Sequence, residues 1–287
     1  MDAVTKQDAV VKQDAVTNPV KSSRRQFNLT FQSLLTIQKL FKQSIVIVLF
    51  LMFWEIAPRI GLVDAAFFPT FSEVASAWWD MVLSNELYSH FRASITRSIA
   101  GFALAIAVAI PLGLIIGWYP IARDLLNPIL EVFRNTAALA LLPVFILVLG
   151  IGETSKIAIV LFACTWPILL NTISAVRNVD PLLIKSARSM NISSFALFVK
   201  VILPASIPTM FTGIRMAGTG AILVLIAAEM VGAKAGLGYF ITYSQYNFLI
   251  PEMYAGIVTI SILGLIINYG LLALERRLSR WKQDPTA

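Results

Sequence analysis

Polar and ionisable side chains are rare in the long apolar runs of this chain, and five of them could have a function there. Two of the five, Arg134 and Asn135, are of types that could attract or pass an anion. Arg134 and Asn135 stand side by side at the head of one run, and Trp166 and Asn171 place an indole N–H and an amide inside the next. Glu229 lies near the end of a third run, in the stretch AAEM. Because a polar group at membrane depth needs a partner or a function, these five residues are candidates to line a translocation path.

Each candidate also has a simpler interpretation, and both stay open at this point. Arg134 could extend to a lipid phosphate at the membrane interface, as long basic side chains do. For Trp166 and Asn171, hydrogen bonds to neighbouring helices are the favoured use. Glu229 is an acid and therefore a poor direct ligand for an anion, so a gate or a packing contact is favoured. Arg215, in the same run, is interpreted as neutralising helix carbonyls or pairing with lipid.

A second group of candidates lies in the polar, basic segment Ile184 to Pro204, which separates two long apolar runs and must therefore face water. Pro181 suits the first turn of a helix, and Asp180 before it can cap the free amides. That helix is predicted to end at Asn191, because asparagine tolerates the left-handed geometry of a helix end. Ser193 can then begin a second helix that reaches Pro204.

Composition defines the elements that must position these residues. The chain has 287 residues, of which 57% are hydrophobic and 14% charged, and its mean hydropathy is +0.77. These values are typical of a polytopic membrane protein. The net charge of +7 comes from basic residues that flank the apolar runs, so no nucleic-acid partner is expected. The single cysteine, Cys164, excludes an intramolecular disulfide, and the single histidine, His90, is interpreted as a loop residue.

The apolar runs predict six transmembrane helices. They cover about 44–62, 99–118, 129–149, 157–176, 207–231 and 253–274. Lysine and arginine concentrate before the first run, in the central loop and at the end, which predicts cytoplasmic N- and C-termini. A helix at the outer surface is predicted over 71–82, and glycines such as Gly113 and Gly213 predict closely packed helices.

The same pattern predicts the organisation of the chain. Residues 1–43 form a cytoplasmic tail that contains a threefold Asp-Ala-Val repeat and a possible surface helix over 27–41. Residues 44–281 are predicted to form one six-helix membrane domain, with its core at about 93–275. Residues 282–287 are a cytoplasmic end.

The central segment resembles the cytoplasmic loop of the permease subunits of binding-protein-dependent ABC importers. That loop has the pattern E-A-A, three residues, G, nine residues, I, any residue, L-P. With intact spacing, the pattern falls on Lys185, Ser186, Ala187, Asn191, Val201, Leu203 and Pro204, with Arg188 in the same turn. The chain departs from it where Lys185 replaces an acid, Ser186 an alanine and Asn191 a glycine.

The resemblance extends from about 68 to 281, where the chain looks like the permeases of the nitrate, sulfonate, taurine and bicarbonate branch. The stretches that support it are FPTFSEV, RNTAALALLPVFILVLGIGETSKI, WPILLNT, ILPASIPTMFTGIR and AAEMVGAKAGLGY. The branch implies an all-α integral membrane fold, the type I ABC importer (MetI-like) transmembrane domain with cytoplasmic coupling helices. The block that begins at Arg134 looks most like aliphatic sulfonate permeases, and nitrate or bicarbonate is the alternative.

The resemblance also implies the partners. They are two ATPase subunits, a second permease copy, an extracytoplasmic substrate-binding protein and the lipids of a bacterial inner membrane. The chain has no G-x-x-x-x-G-K-[ST] phosphate loop, so ATP and magnesium are expected to be bound by the ATPase subunits and no cofactor by this chain. A stand-alone secondary transporter is the alternative from another class, and it would predict buried carboxylates for ion coupling.

Overall fold

A computed structural model describes residues 45–278, which contain helices and loops and no strand. The threefold repeat, the possible surface helix and the C-terminal end fall outside these residues. The helices are α1 (45–59), α2 (Phe71–Leu83), α3 (Glu86–Trp118), α4 (Pro120–Arg134), α5 (Leu142–Leu149), α6 (Glu153–Arg177), α7 (Pro181–Ser189), α8 (Ser194–Leu197), α9 (Leu203–Glu229), α10 (Leu237–Tyr246) and α11 (Ile250–Leu278). A 3-10 helix over Ala138–Leu141 precedes α5, and a π-helical turn over Phe198–Ile202 precedes α9.

The chain divides into two compact units after Ser72. In the first unit, α1 exposes most of its apolar side chains and is followed by a turn that folds back on it. Trp54 donates its indole N–H to the carbonyl of Pro69 at 3.1 Å, and Glu55 accepts from the backbone N–H of Ser72 at 2.9 Å. These two bonds fix the turn against the end of α1. The predicted surface helix over 71–82 is present as α2.

The second unit is built around α3, α6 and α9. Three glycines of α3 lie directly against α6: a Cβ added to Gly101, Gly113 or Gly117 would come within 3 Å of an atom of that helix. Their nearest partners are Val160, Thr172 and Val176 respectively, in the same order along the chain. The two helices therefore run parallel, with their backbones as close as the absence of side chains allows.

The close packing continues between α6 and α9, where a Cβ on Gly213 would meet the Cβ of Asn171 at 2.5 Å. The predicted role of glycines is confirmed at Gly113 and Gly213. Gly220 in α9 and Gly264 in α11 have no neighbour within 4 Å of an added Cβ among the described residues. A glycine in an apolar run does not by itself indicate which helix face is buried.

The predicted span over 129–149 is not one continuous helix. Its first part belongs to α4, which begins earlier, at Pro120, and the chain then bends by 85° before it continues as 138–149. Ala137 has an extended backbone, and Pro143 lies in the first turn of α5, where its missing N–H costs nothing. Apolar residues nevertheless lie on both sides of the bend, namely Ile129, Leu130, Val132 and Phe133 at the end of α4 and the run over 138–149, so hydropathy alone merges the two helices.

Four described helices are long and apolar enough to cross a membrane, namely α3, α6, the helix over Ser194–Glu229 and α11. The bent pair would make a fifth. The sixth predicted span, over 44–62, contains α1 (45–59), which is not among these helices.

Candidate functional site

The polar segment between α6 and α9 has the geometry that its sequence predicts. The Asp180 carboxylate accepts a hydrogen bond from the backbone N–H of Leu182 at 2.8 Å, which caps α7. Asn191 has φ 55°, so the left-handed conformation predicted for it is confirmed. The hydroxyl of Ser193 accepts from the N–H of Ala196 at 3.3 Å and caps α8.

The second helix of this segment does not stop at Pro204. A π-helical turn joins α8 to α9, so one helical rod runs from Ser194 to Glu229. The span predicted from residue 207 therefore begins earlier. Pro204 lies in the first turn of α9 without interrupting the rod.

The side chains of the segment divide into an inner and an outer set. Ala187 is buried and packs with Val176, Val179 and Leu197. The outer set is exposed and consists of Lys185, Ser186, Arg188 and Asn191. Val201 and Leu203 are half-buried and Pro204 is exposed. Ala187 thus positions α7, while the exposed residues are available to a partner.

Large apolar side chains are exposed beside this polar set. Leu182, Met190 and Phe195 are 69%, 77% and 78% exposed. Exposed apolar groups mixed with basic ones are typical of a surface that another protein covers.

A cleft of about 580 Å³ lies at the bend after α4, beside α6 and α9. It brings together three of the five predicted path residues, Arg134, Trp166 and Asn171. Arg134 is the last residue of α4, whereas Trp166 and Asn171 lie past the midpoint of α6. Most other lining side chains are apolar, among them Leu170 and Met216.

Trp166 is held firmly at the wall of this cleft. Its ring stacks on Phe133 with centroids 5.3 Å apart and an interplanar angle of 8°, and it meets Phe162 edge-on at 5.5 Å. Its indole N–H is buried and has no hydrogen-bond partner among the described residues. Asn171, one turn further on, donates its amide to the carbonyl of Pro167 at 2.8 Å, a bond within α6 rather than between helices.

The other two predicted path residues are not in the cleft. Asn135 is exposed and donates its amide to the carbonyl of Glu131 at 2.8 Å, which closes the end of α4. Glu229 is completely buried at the far end of α9, in a cluster of charged groups. Asn135 is therefore a helix cap, and Glu229 belongs to a separate structure.

That charged cluster is centred on Arg97 of α3. Its guanidinium binds both carboxylate oxygens of Glu153 at 2.5 Å and donates to Glu229 at 2.6 Å and to the carbonyl of Ala235 at 2.6 Å. The Arg97 side chain is 4% exposed, and Glu153, the first residue of α6, is 65% exposed. One buried cation of α3 thus joins the start of α6, the end of α9 and the loop that precedes α10.

The second oxygen of Glu229 is also occupied. It accepts from the hydroxyl of Ser94 at 2.7 Å and from the backbone N–H of Gly238 at 3.1 Å. Neighbouring Gly236 has φ 124°, and an added Cβ there would collide with the Glu229 carboxylate. The motif AAEMVGAKAGLGY therefore folds its glycine loop directly onto its own glutamate.

His90 also contacts the loop that precedes α10, and its interpretation as a loop residue is wrong. It lies in the first turns of α3, because that helix begins at Glu86, well before the apolar run. Its Nδ1 accepts from the backbone N–H of Gly236 at 3.2 Å, and its ring contacts Tyr239 and Phe240.

Sequence reasoning did not single out Arg97. The available signal was an arginine only two residues before an apolar run, in a chain with an equally isolated acid, Glu229. Opposite charges of this kind at predicted span ends are candidates for pairing.

Arg215 pairs with Glu275 of α11 at 3.1 Å, so its partner is a protein side chain and not the expected lipid or helix carbonyl.

Comparison with known proteins agrees with this architecture. Residues 109–281 match the family described as "Binding-protein-dependent transport system inner membrane component". A probable ABC transporter permease of Brucella abortus is 37% identical over 71% of this chain and 81% of its own length. A putative aliphatic sulfonates transport permease of Bacillus subtilis is 31% identical over 80% of this chain and 84% of its own length. The taurine transport system permease of Escherichia coli is 33% identical over 82% of this chain and 86% of its own length.

The fold agrees as well. A solved structure of the MetNI methionine ABC transporter in an inward-facing conformation matches with a TM-score of 0.58 and 18% identity, over 65% of this chain and 93% of that chain. The family match covers more than half of the chain, and the permeases of sulfonate, taurine and nitrate importers match over most of it. The chain therefore belongs to the inner-membrane permease subunits of binding-protein-dependent ABC importers, which are not themselves enzymes.

Proposed function

We propose that this chain forms the membrane path of an importer for a small organic oxyanion, with an aliphatic sulfonate or taurine as its substrate. The observation that supports this function is the cleft at the bend after α4, which places Arg134 and the Trp166 ring beside apolar side chains. The similarity to aliphatic sulfonate and taurine permeases supports the same class. Nitrate is the second candidate, because a nitrate import permease of Synechocystis is also similar.

Transport is driven by ATP hydrolysis in two partner subunits that dock on α7 and the turn after it. The exposed residues Lys185, Ser186, Arg188 and Asn191 lie at the surface of this segment, next to exposed Met190. Buried Ala187 and the half-buried Val201 and Leu203, followed by Pro204, hold the segment on the helical bundle. No catalytic residue is required in this chain, and ATP and magnesium are bound by the partners.

The proposed arrangement in the membrane has six spans, with α1 as the first and the bent pair α4–α5 as the third. Both termini and the segment from α7 to α8 then lie in the cytoplasm, and the Arg97 cluster lies at the outer end. Residues 1–43 and 282–287 are tails of a permease domain over 44–281, with its core at about 93–275. Two copies pair in the proposed transporter. Exposed apolar side chains of α4 and α5, such as Ile121 and Leu147, must be covered by lipid or by this second copy.

The proposed function is tested with the complete transporter in nanodiscs. ATP hydrolysis is measured while the binding protein is loaded in turn with ethanesulfonate, taurine, nitrate or bicarbonate. Stimulation by the sulfonates supports the proposal. Stimulation by nitrate or bicarbonate alone would make that anion the substrate in place of a sulfonate. Uptake by this chain alone in liposomes, without an ATPase subunit, would instead favour a secondary transporter.

A bulky residue at Asn191 is expected to uncouple ATP hydrolysis from transport. Asn191 has φ 55°, and a β-branched residue adopts this conformation only at a cost of about 1–2 kcal/mol. Asn191→Val should therefore rebuild the turn after α7 and lower substrate-stimulated uptake at least ~10-fold per ATP hydrolysed. A large side chain at Ala187, such as Ala187→Trp, should do the same because that position is buried.

The matched control is Asn191→Gly, since glycine adopts positive φ freely. This variant should retain the wild-type ratio of uptake to hydrolysis, and all variants should insert into the membrane in similar amounts. Wild-type uptake in Asn191→Val would contradict a coupling role for this turn.

A further inference from the structure

We infer that His90 is a pH-sensitive switch: when its imidazole gains a proton, the loop that precedes α10 detaches from α3. This loop covers residues 230–236. Three side chains on one face of α3 bind the end of the loop and the start of α10, namely His90, Ser94 and Arg97, which are spaced four and three residues apart. The inference goes beyond the proposed function and rests on it only for the placement of this loop at the outer end of the molecule.

The first amides of α10 are capped by side chains of other helices, because a helix supplies no partner for these groups itself. The N–H of Gly236 donates to Nδ1 of His90 at 3.2 Å. The next two N–H groups donate to the hydroxyl of Ser94 at 2.8 Å and to the carboxylate of Glu229 at 3.1 Å. Three successive amides thus depend on three different side chains, and imidazole is the acceptor type that ordinarily gains a proton between about pH 5 and 8.

A protonated imidazole cannot hold Gly236. Nδ1 accepts through a lone pair, and once it carries a proton it becomes a donor. The Gly236 N–H, which is buried, then faces another donor and has lost its acceptor. The new positive charge also lies at the N-terminus of α10, where the helix dipole is itself positive. Neutral pH therefore favours the attached loop, and acid favours the detached one.

Charged and titratable groups near His90 lie on its own helix, on α9, on α10 and in the loop. They are Glu86, Arg92 and Arg97 of α3, Glu229 of α9, Tyr239 of α10 and Lys234 of the loop. Glu86 favours the charged ring, but it is exposed and one turn away, where such an interaction is weak. Glu229 is already bound to Arg97 and to Ser94, so it does not compensate a second cation. The ring itself packs on Tyr239 and Phe240, with centroids 5.8 and 5.4 Å away, which holds Nδ1 towards the loop.

The solvent can deliver the proton. His90 is half-buried and lies before the apolar run that begins near residue 99, and Gly232 and Lys234 of the loop are exposed. When Gly236 detaches, its neighbour Ala235 loses the position from which its carbonyl accepts from Arg97. Acid on the side of the membrane that this loop faces therefore loosens the contact between α3, α9 and α10.

Hydrogen exchange of the complete transporter in nanodiscs tests the switch, by mass spectrometry of peptides that contain residues 236–238. Between about pH 7.5 and 5.5, after correction for the intrinsic exchange rate, the protection of these amides is expected to fall about 5–10-fold. The Ala196 amide is the internal control, since its cap is the hydroxyl of Ser193, which does not titrate in this range. Its protection should stay within about 2-fold.

Two variants at His90 separate the titration from the packing. His90→Asn keeps an acceptor near the position of Nδ1 but does not titrate, so residues 236–238 should be protected as in the wild type at both pH values. His90→Phe keeps a ring against Tyr239 and Phe240 but has no acceptor, so protection should be about 10-fold lower at both pH values. Co-purification of the ATPase subunits shows that each variant is assembled.

Uptake of labelled ethanesulfonate into proteoliposomes, with the binding protein outside, provides the functional measurement. The ratio of wild-type to His90→Asn uptake should fall about 5-fold when the outside is acidified, and should not change when the inside is acidified. The binding protein and the ATPase subunits are the same in both transporters, so their own pH dependence cancels in this ratio.

The outcomes separate this inference from the proposed function. Equal protection of residues 236–238 at the two pH values in the wild type overturns the switch, and so does an equal fall in His90→Asn, which would assign the titration to another group. The proposed function stands in both cases. If the wild-type transporter responds to none of the oxyanions, the proposed function fails, while the exchange measurement still decides the switch. A response to acid inside alone would contradict the proposed placement of the loop.

Discussion

Replacement of Arg97 by methionine is expected to destabilise the permease by about 3–5 kcal/mol. The substitution keeps most of the side-chain volume but leaves the completely buried Glu229 carboxylate without its counter-ion. It also removes the donor to the Ala235 carbonyl, so the loop before α10 loses its tie to α3. Thermal or denaturant unfolding of the purified protein in one detergent provides the measurement.

Two comparisons make this result specific. Arg123→Met removes an arginine from the exposed pair with Asp124 and should cost less than about 1 kcal/mol. Arg97→Met combined with Glu229→Met should recover much of the lost stability, because it removes both buried charges. A single Arg97→Met variant as stable as Arg123→Met would show that the cluster does not hold the three helices together.

Replacement of Gly113 by leucine is the second large effect expected, a loss of about 3 kcal/mol or more. A Cβ at this position would lie 2.6 Å from the Cβ of Thr172, which is itself fully buried and bonded to the carbonyl of Ile168. Neither helix can yield locally, because Gly101 and Gly117 place α3 equally close to α6 on either side. The two helices must separate along their length.

Gly264→Leu in α11 is the matched control. This glycine has no described atom within 4 Å of an added Cβ, and leucine has a higher helix propensity than glycine by nearly 1 kcal/mol. The control should therefore be neutral or slightly stabilising in the same unfolding measurement. Equal stability of the two variants would rule out close contact between α3 and α6.

The parts of the molecule that sequence reasoning predicted are those that depend on neighbouring residues. Asp180 caps α7 through the N–H of Leu182, two residues away. Asn191 adopts a positive φ because asparagine has a short polar side chain that tolerates the left-handed conformation. Of the six spans that the apolar runs predict, four are long apolar helices in the structure, because burial in a membrane requires long uninterrupted stretches. Their ends were less well predicted, since the first turns of α3 contain the polar residues Glu86 and His90.

The parts that were missed depend on residues far apart in the chain. Arg97 and Glu229 are separated by 132 positions, and no local pattern connects them. The bend after α4 was missed because the apolar residues at the end of α4, such as Val132 and Phe133, were joined to the apolar run that follows the bend. Arg134, at this bend, lines the same cleft as Trp166, whereas Asn135 caps its own helix.

The continuous rod from Ser194 to Glu229 has a mechanical consequence. With a rise of about 1.5 Å per residue, its 36 residues span about 54 Å, from the segment proposed to receive the ATPase to the buried glutamate at the opposite end. A rigid lever of this length turns a tilt of 5° about its centre into a displacement of roughly 2 Å at each tip. In the proposed transporter, such a displacement would separate Arg97 from Glu229, which lie 2.6 Å apart, so a tilt driven by ATP hydrolysis at one end of the helix would release the ion pair at the other end.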